Sequence, residues 1–355
     1  MKLEDLGYNA KLEQIRKDHK LDQFETGRIL AEHRERYIVG TAGGEFEAEI
    51  TGNLRFSAKS REDFPAVGDW VAIAIFEPDM AIIHAVLPRT SLIRRQAAGR
   101  QGEIQLIAAN IDYALLVQAV DRDFNLNRLE RYMAISYESG VTPVIVLSKT
   151  DLAGESRLKE IMELVEKRQK DTRVFAVSNH SGEGLEELNR FMHRGKTYCM
   201  LGSSGVGKST LLNSLSGITR MKTGNISTST GKGRHVTSHR ELILLENGSI
   251  LIDNPGMREV GITDDANALE MTFDLIDRLS GSCKFKDCTH TVENGCSVLE
   301  AVQKGELDRS SYENYLKLVR ERAHYESTLA EKRKKDKDFG KIMKNYKKDM
   351  KKNRF

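Results

Sequence analysis

The segment Gly202-Ser203-Ser204-Gly205-Val206-Gly207-Lys208-Ser209-Thr210 has the spacing G-x-x-x-x-G-K-[ST], with Gly202, Gly207, Lys208 and Ser209 at the defining positions. The physics asks for those residue types. A phosphate chain is best held by backbone N–H groups lining a concavity, and glycine lets the backbone turn and approach closely enough. A helix starting at Lys208 would aim the positive end of its dipole at the same phosphates. Working outward, Thr197–Leu201 is a short apolar run that reads as a buried strand. Leu211, Leu212 and Leu215 repeat at helical spacing and predict a helix from about Lys208 to Ser216. A plain Gly/Ser-rich loop with a chance lysine would not need such flanks. All nine residues are therefore expected to line a nucleoside triphosphate, with Lys208 on the β- and γ-phosphates and Ser209 on Mg²⁺.

Further upstream, Ile111–Val120, Val144–Leu147 and Arg173–Val177 read as strands, alternating with helices at about Asn127–Ser139 and Leu158–Lys167. Glu241–Leu245 and Ser249–Ile252 follow the phosphate loop. Such alternation predicts a mainly parallel sheet with helices on both faces. Before it, Gly27–Arg34, Arg36–Thr41, Glu45–Thr51, Asp69–Phe76 and Met80–Pro88 are five short strands with turns between them. They fit a small closed barrel of the OB type. Residues 1–24 read as a charged amphipathic helix or a loose extension, and Asn225–His239 as a polar loop. The expected division is an extension (1–24), an OB barrel (25–97), an α/β P-loop domain (98–262), a mostly helical metal-binding domain (263–325) and a basic tail (326–355).

At 355 residues the chain has room for two or three domains, and 30% charged against 39% hydrophobic residues is a globular balance. No apolar run approaches the roughly 20 residues that span a bilayer, and the first residues have no apolar core of an export signal. A cytoplasmic home, away from membranes, is the expectation. The net charge of +3 is unevenly placed: from Arg320 onward Lys and Arg exceed Asp and Glu by 8, leaving −5 elsewhere. A basic tail on an acidic body fits contact with nucleic acid, and equally a solvated charged helix.

Ser148-Lys149-Thr150-Asp151 lies at the carboxyl end of the strand Val144–Leu147, where open α/β sheets bind ligands. A carboxylate there accepts the N1–H and exocyclic amine of guanine, and a lysine stem lies along the base. The usual guanine-reading pattern is Asn-Lys-x-Asp, so Ser148 stands where Asn is expected. Ser178-Asn179, after the strand Arg173–Val177, sits where a backbone N–H meets guanine O6. Downstream, Asp253-Asn254-Pro255-Gly256 closes an apolar strand with D-x-x-G, so Asp253 is expected near Mg²⁺ and the Gly256 N–H at the γ-phosphate. Thr237 is the best candidate to close over Mg²⁺, and His235 could orient the attacking water. Met257 occupies the place of a catalytic glutamine, so unaided hydrolysis should be slow. The base readers precede the phosphate loop instead of following it. Circular permutation keeps the sheet intact and relocates the termini.

Cys283-x4-Cys288-x-His290-x5-Cys296 supplies three thiolates and an imidazole, a complete tetrahedral shell for one structural Zn²⁺. Buried free cysteines with a surface histidine are the alternative. Cys199, inside a strand, reads as ordinary core.

Taken together, an OB barrel, a permuted GTPase with Gly-Arg-His-x-Thr and Asp-x-Pro-Gly, and the Cys-Cys-His-Cys spacing resemble the RsgA (YjeQ/YloQ) family over about residues 27–325. The resemblance implies a GTPase that matures the small ribosomal subunit. Such a protein binds rRNA, is stimulated by the subunit and couples hydrolysis to release. It also implies catalytic roles for His235, Thr237 and Lys208. GTP or GDP, Mg²⁺, Zn²⁺ and the small subunit are the expected companions, and a monomer is expected. Val236 for Thr, the N-terminal extension and the longer lysine-rich tail depart from the family pattern. The rival readings are an ATPase or kinase, and a non-enzymatic RNA-binding module with a degenerate nucleotide site.

Overall fold

The computed structural model describes residues 2–33, 36–96, 104–121, 124–169, 171–203, 205–217, 240–253 and 266–323. Two compact units emerge, residues 1–95 with 105–260, and 96–104 with 261–355.

The first unit begins with a 3-10 turn, Leu3–Leu6, and helix α1 (Ala10–Asp18). Asn9 caps α1 by accepting from the Lys11 and Leu12 N–H groups, and Leu6 and Leu12 are buried. The opening residues are therefore docked rather than loose. Strands β1 (Glu25–His33), β2 (Arg36–Thr41) and β3 (Gly44–Ile50) form an antiparallel meander, followed by α2 (Gly52–Ser57). Strands β4 (Trp70–Glu77) and β5 (Met80–Val86) complete the order β1-β2-β3-β5-β4, and β4 returns to β1 through Glu25↔Ile73 to Arg28↔Trp70. Closure removes the free edges. Alternation puts Ile29, Tyr37, Val39, Val71, Ile73 and Ile83 in the barrel core, each fully buried. All five expected strands are present, within a few residues at each end.

After a ribbon of β6 (Leu92–Gln96) and β7 (Ile104–Ala109), which periodicity did not reveal, the α/β part begins. In chain order it comprises β8 (Tyr113–Ala119), α3 (Leu126–Glu138), β9 (Thr142–Ser148), α4 (Glu155–Arg168), β10 (Val174–Ala176) and α5 (Leu185–Phe191). Then come β11 (Thr197–Leu201), α6 (Lys208–Ser216), β12 (Glu241–Leu244) and β13 (Ile250–Asp253). The strand order is β10-β9-β8-β11-β13-β12, parallel except for β12. The core between sheet and helices includes Leu115, Val117, Val146, Leu188, Leu211 and Leu251. Helix α3 starts at Leu126, one residue before the expected Asn127, because Asn125 is the cap and accepts from the Arg128 N–H.

Barrel and sheet are continuous. Ala31 of β1 pairs with Glu241 of β12. Beside this seam the buried Arg28 guanidinium donates to the carbonyls of Leu6, Gly68 and Asn110 and to the Thr197 hydroxyl, at 2.5–3.1 Å. Burial pulls its pKa down to about 10.

The second unit contains α7 (Ala266–Thr272), α8 (Asp274–Ser280), α9 (Ser297–Lys304) and a helix over 309–323. The loop between α8 and α9 carries the cysteine cluster.

Candidate nucleotide site and metal centre

Strand β11 runs directly into the phosphate loop and α6, which spans the expected Lys208–Ser216. Gly202 passes so close to β8 that a Cβ there would lie 2.3 Å from the Val117 carbonyl oxygen. Gly207, at φ 94°, is the left-handed cap of α6. Lys208 Nζ donates to the carbonyls of Gly202 and Ser203 at 2.5 and 2.6 Å, which holds the ammonium over the loop. Ser209 and Thr210 are exposed on the first turn of α6.

The loop after β9 meets this one. Ser148 is fully buried and donates to the Val206 carbonyl at 2.6 Å, so its hydroxyl ties the two loops together instead of facing a ligand. Lys149 adopts a left-handed φ of 59° and pairs with Asp121 at 2.9 Å. Asp121 was not singled out in the sequence. Its position, just past the carboxyl end of β8, was the available signal. Ser178 donates to Asp151 Oδ1 at 2.6 Å while accepting from the His180 and Ser181 N–H groups. The Asp151 carboxylate is thereby aimed by a hydroxyl from the neighbouring strand end. Asn179 reaches the phosphate loop: a Cβ on Gly207 would lie 3.5 Å from its Nδ2. Its Oδ1 and the Thr150 hydroxyl are buried with no hydrogen-bond partner among the described residues.

Asp253 ends β13, two strands from β8 in the sheet. Burial pushes its carboxyl up, the nearby Glu241 charge adds to this, and Lys208 opposes it. The pairing of β13 with β11 puts Asp253 within electrostatic reach of Lys208. Ser204, His235, Thr237, Gly256 and Met257 lie outside the described residues, as do the whole of Asn225–His239 and the tail 326–355. A cavity of about 580 Å³ opens at the opposite end of the strands, lined by Tyr113, Arg173, Phe175, Phe191 and His193 among others. It contains none of the motif residues. Cys199 is buried core, its thiol pushed up to about 12 by burial.

In the second unit, Cys283, Cys288, His290 and Cys296 place one donor atom each within 4.8 Å of one another. Cys283 Sγ lies 3.6 Å from His290 Nδ1 and 3.9 Å from Cys296 Sγ, and Cys296 Sγ lies 3.5 Å from that Nδ1. A tetrahedron with Zn–S bonds of about 2.3 Å has edges of about 3.8 Å, so the donor set fits Zn²⁺ with no open position. Outer contacts hold the ligands in place. Tyr312 donates to the His290 carbonyl at 2.7 Å, and Cys296 Sγ caps α9.

A family model described as RsgA GTPase matches residues 86–263, half of the chain. A second, described as ABC transporter, matches residues 185–354 and contains the phosphate loop, a signature of ATP- and GTP-binding domains alike. The chain is 40% identical over 323 residues to small ribosomal subunit biogenesis GTPase RsgA 1 of Bacteroides thetaiotaomicron, covering 91% of this chain and 90% of the relative. It is 37% identical to RsgA 2 of Vibrio parahaemolyticus, covering 99% and 94%. Among solved structures, YjeQ from Thermotoga maritima is 26% identical with a TM-score of 0.62, over 86% of this chain and 98% of that one. YloQ, a circularly permuted GTPase, has a TM-score of 0.61 at 23% identity, over 85% and 96%, a likeness of fold. By sequence, motif order and architecture together, the chain belongs to the RsgA family of GTPases.

Proposed function

We propose that this chain acts in the biogenesis of the small ribosomal subunit, binding GTP with Mg²⁺ and hydrolysing it when the subunit is present. The observation that carries the reading is the Ser148–Val206 hydrogen bond, which locks the base-reading and phosphate-holding loops together although their order in the chain is permuted. Relatives named as small ribosomal subunit biogenesis GTPases, 37–44% identical over 84–99% of the chain, support the choice of partner.

In this reading Asp151 accepts from the guanine edge, held by Ser178. Loop N–H groups from Gly202 to Thr210 and the Lys208 ammonium take the phosphates, and charge developing in the transition state falls among preorganised donors. Ser209, Asp253 and Thr237 are the residues that would hold Mg²⁺, which when bound neutralises charge on the β- and γ-phosphates. His235 orients the attacking water, and Gly256 meets the γ-phosphate. The barrel, the zinc-bearing unit and the tail bind rRNA, and hydrolysis drives release. The protein works as a monomer in the cytoplasm; among the described residues no helix is long and apolar enough to cross a membrane.

The test is the rate of GTP hydrolysis with and without purified small subunits. Stimulation in the wild type, lost in Lys208→Ala, is expected; an unchanged rate on adding subunits overturns the reading. Competition by ATP at GTP-like concentrations would favour the ATPase alternative.

A further inference from the structure

The metal-bearing loop displays a half-exposed aromatic ring. Phe285, between Cys283 and Cys288, is 45% exposed. Its loop is held at several points besides the ligands. The Lys284 N–H donates to Gly295 O at 3.0 Å, the Cys288 N–H to the Phe285 carbonyl, and Ser297 Oγ to Ser282 O. An exposed ring on a pinned loop is preorganised, so binding through it orders little else.

Charge around the ring narrows the partner. Residues 266–319 carry six Lys/Arg against nine Asp/Glu, an acidic body. Arg278, Lys304 and Arg309 are each paired with an acidic residue one helical turn away. Lys284 and Lys286 flank Phe285, are exposed, and make no ion pair among the described residues. Lys284 Nζ lies over the Phe285 ring, 5.5 Å from its centroid, a cation–π contact that a base arriving at that face would displace. A protein partner offering an apolar pocket would have to desolvate two ammonium groups to reach the ring. An unpaired nucleotide offers a π-face for the ring and phosphates for the lysines.

We propose that Phe285 is a stacking platform for one unpaired RNA base, with Lys284 and Lys286 taking the phosphates beside it. The inference rests on the ribosome-assembly reading for the identity of that RNA, not for the chemistry of the platform.

The test uses the full-length, zinc-loaded protein. Its one tryptophan, Trp70, is 2% exposed, so Phe285→Trp introduces a separate, exposed reporter. Titration with single-stranded oligoadenylate at low salt should quench that emission saturably. Phe285→Ala should weaken oligoadenylate binding at least about fivefold and Phe285→Tyr should restore it, since stacking tolerates either ring. The Lys284→Ala/Lys286→Ala double variant should flatten the dependence of log affinity on log salt by about 1.4. Zinc content and GTP hydrolysis without subunits should match wild type in each. Binding of Phe285→Ala within twofold of wild type overturns the proposal. So does weakened binding to intact subunits with unaltered binding to protein-free rRNA and oligoadenylate, which would mean a ribosomal protein covers the ring. Failure of the ribosome reading shows elsewhere, as a wild-type GTPase rate indifferent to subunits.

Discussion

Two serine hydroxyls set the geometry of the candidate site. Ser148 is the shorter substitute for the asparagine of the usual pattern, and its single donor is committed to the Val206 carbonyl. The sequence marked this position as a departure, but its partner is 58 residues away in the chain and no local pattern reports such a bond. Ser178 does two things: it donates to Asp151 and accepts from two backbone N–H groups. Ser178→Ala frees the carboxylate to rotate and leaves those N–H groups without their acceptor, at about 1–3 kcal/mol. The preference for GTP over ATP should drop roughly tenfold, since about 1.4 kcal/mol of misdirected hydrogen bonding is a factor of ten. Competitive titration of the two nucleotides measures it, with thermal unfolding as the check on overall stability.

At the scale of elements, the metal loop and the helices differ in how they are stabilised. Helix α9 is capped by the sulfur of a ligand, Cys296, and the loop before it has no apolar core of its own. Structural Zn²⁺ contributes about 10–16 kcal/mol to small domains at neutral pH. Chelation should therefore expose residues 281–297 to proteolysis and fast hydrogen exchange, while nucleotide binding by the first unit persists. Protection of that loop after verified metal removal would contradict a structural role for the ion. Elements with a strong signal of their own were legible: the leucines of α6, the alternating strands of the barrel, the spacing of the four ligands. Helix α5 and the β6–β7 ribbon were not, being short and flanked by loops, so their periodicity never runs long enough to be read. The sequence reading starts α3 at Asn127, and the structure moves the cap two residues back. Asn125 takes the cap and Asn127 accepts from Arg168.

At the scale of the whole first unit, the barrel is fastened to the GTPase sheet through a cation in the interior. An arginine in an alternating strand reads as a solvent-facing residue, so Arg28 gave no sequence signal. Its four acceptors come from the N-terminal turn, the barrel, the segment after β7 and the start of β11. Arg28→Met should lower stability by about 3 kcal/mol, the scale of breaking a buried polar network. Arg28→Lys should not rescue it, because a compact ammonium lacks the planar fork that reaches four directions. Chemical denaturation of the three proteins decides the matter; equal midpoints for wild type and Arg28→Lys would dismiss the network.

The same arginine carries a timetable. Its last partner, Thr197, is 169 residues further along the chain. At a synthesis rate of about 5–20 residues per second, roughly ten to thirty seconds separate the two leaving the peptidyl transferase centre. The barrel's own strands are complete by Val86, so it can close early, with a charged side chain still hydrated at its flank. A nascent chain stalled before β11 should therefore hold a formed but unfastened barrel, waiting for the rest of the molecule to arrive.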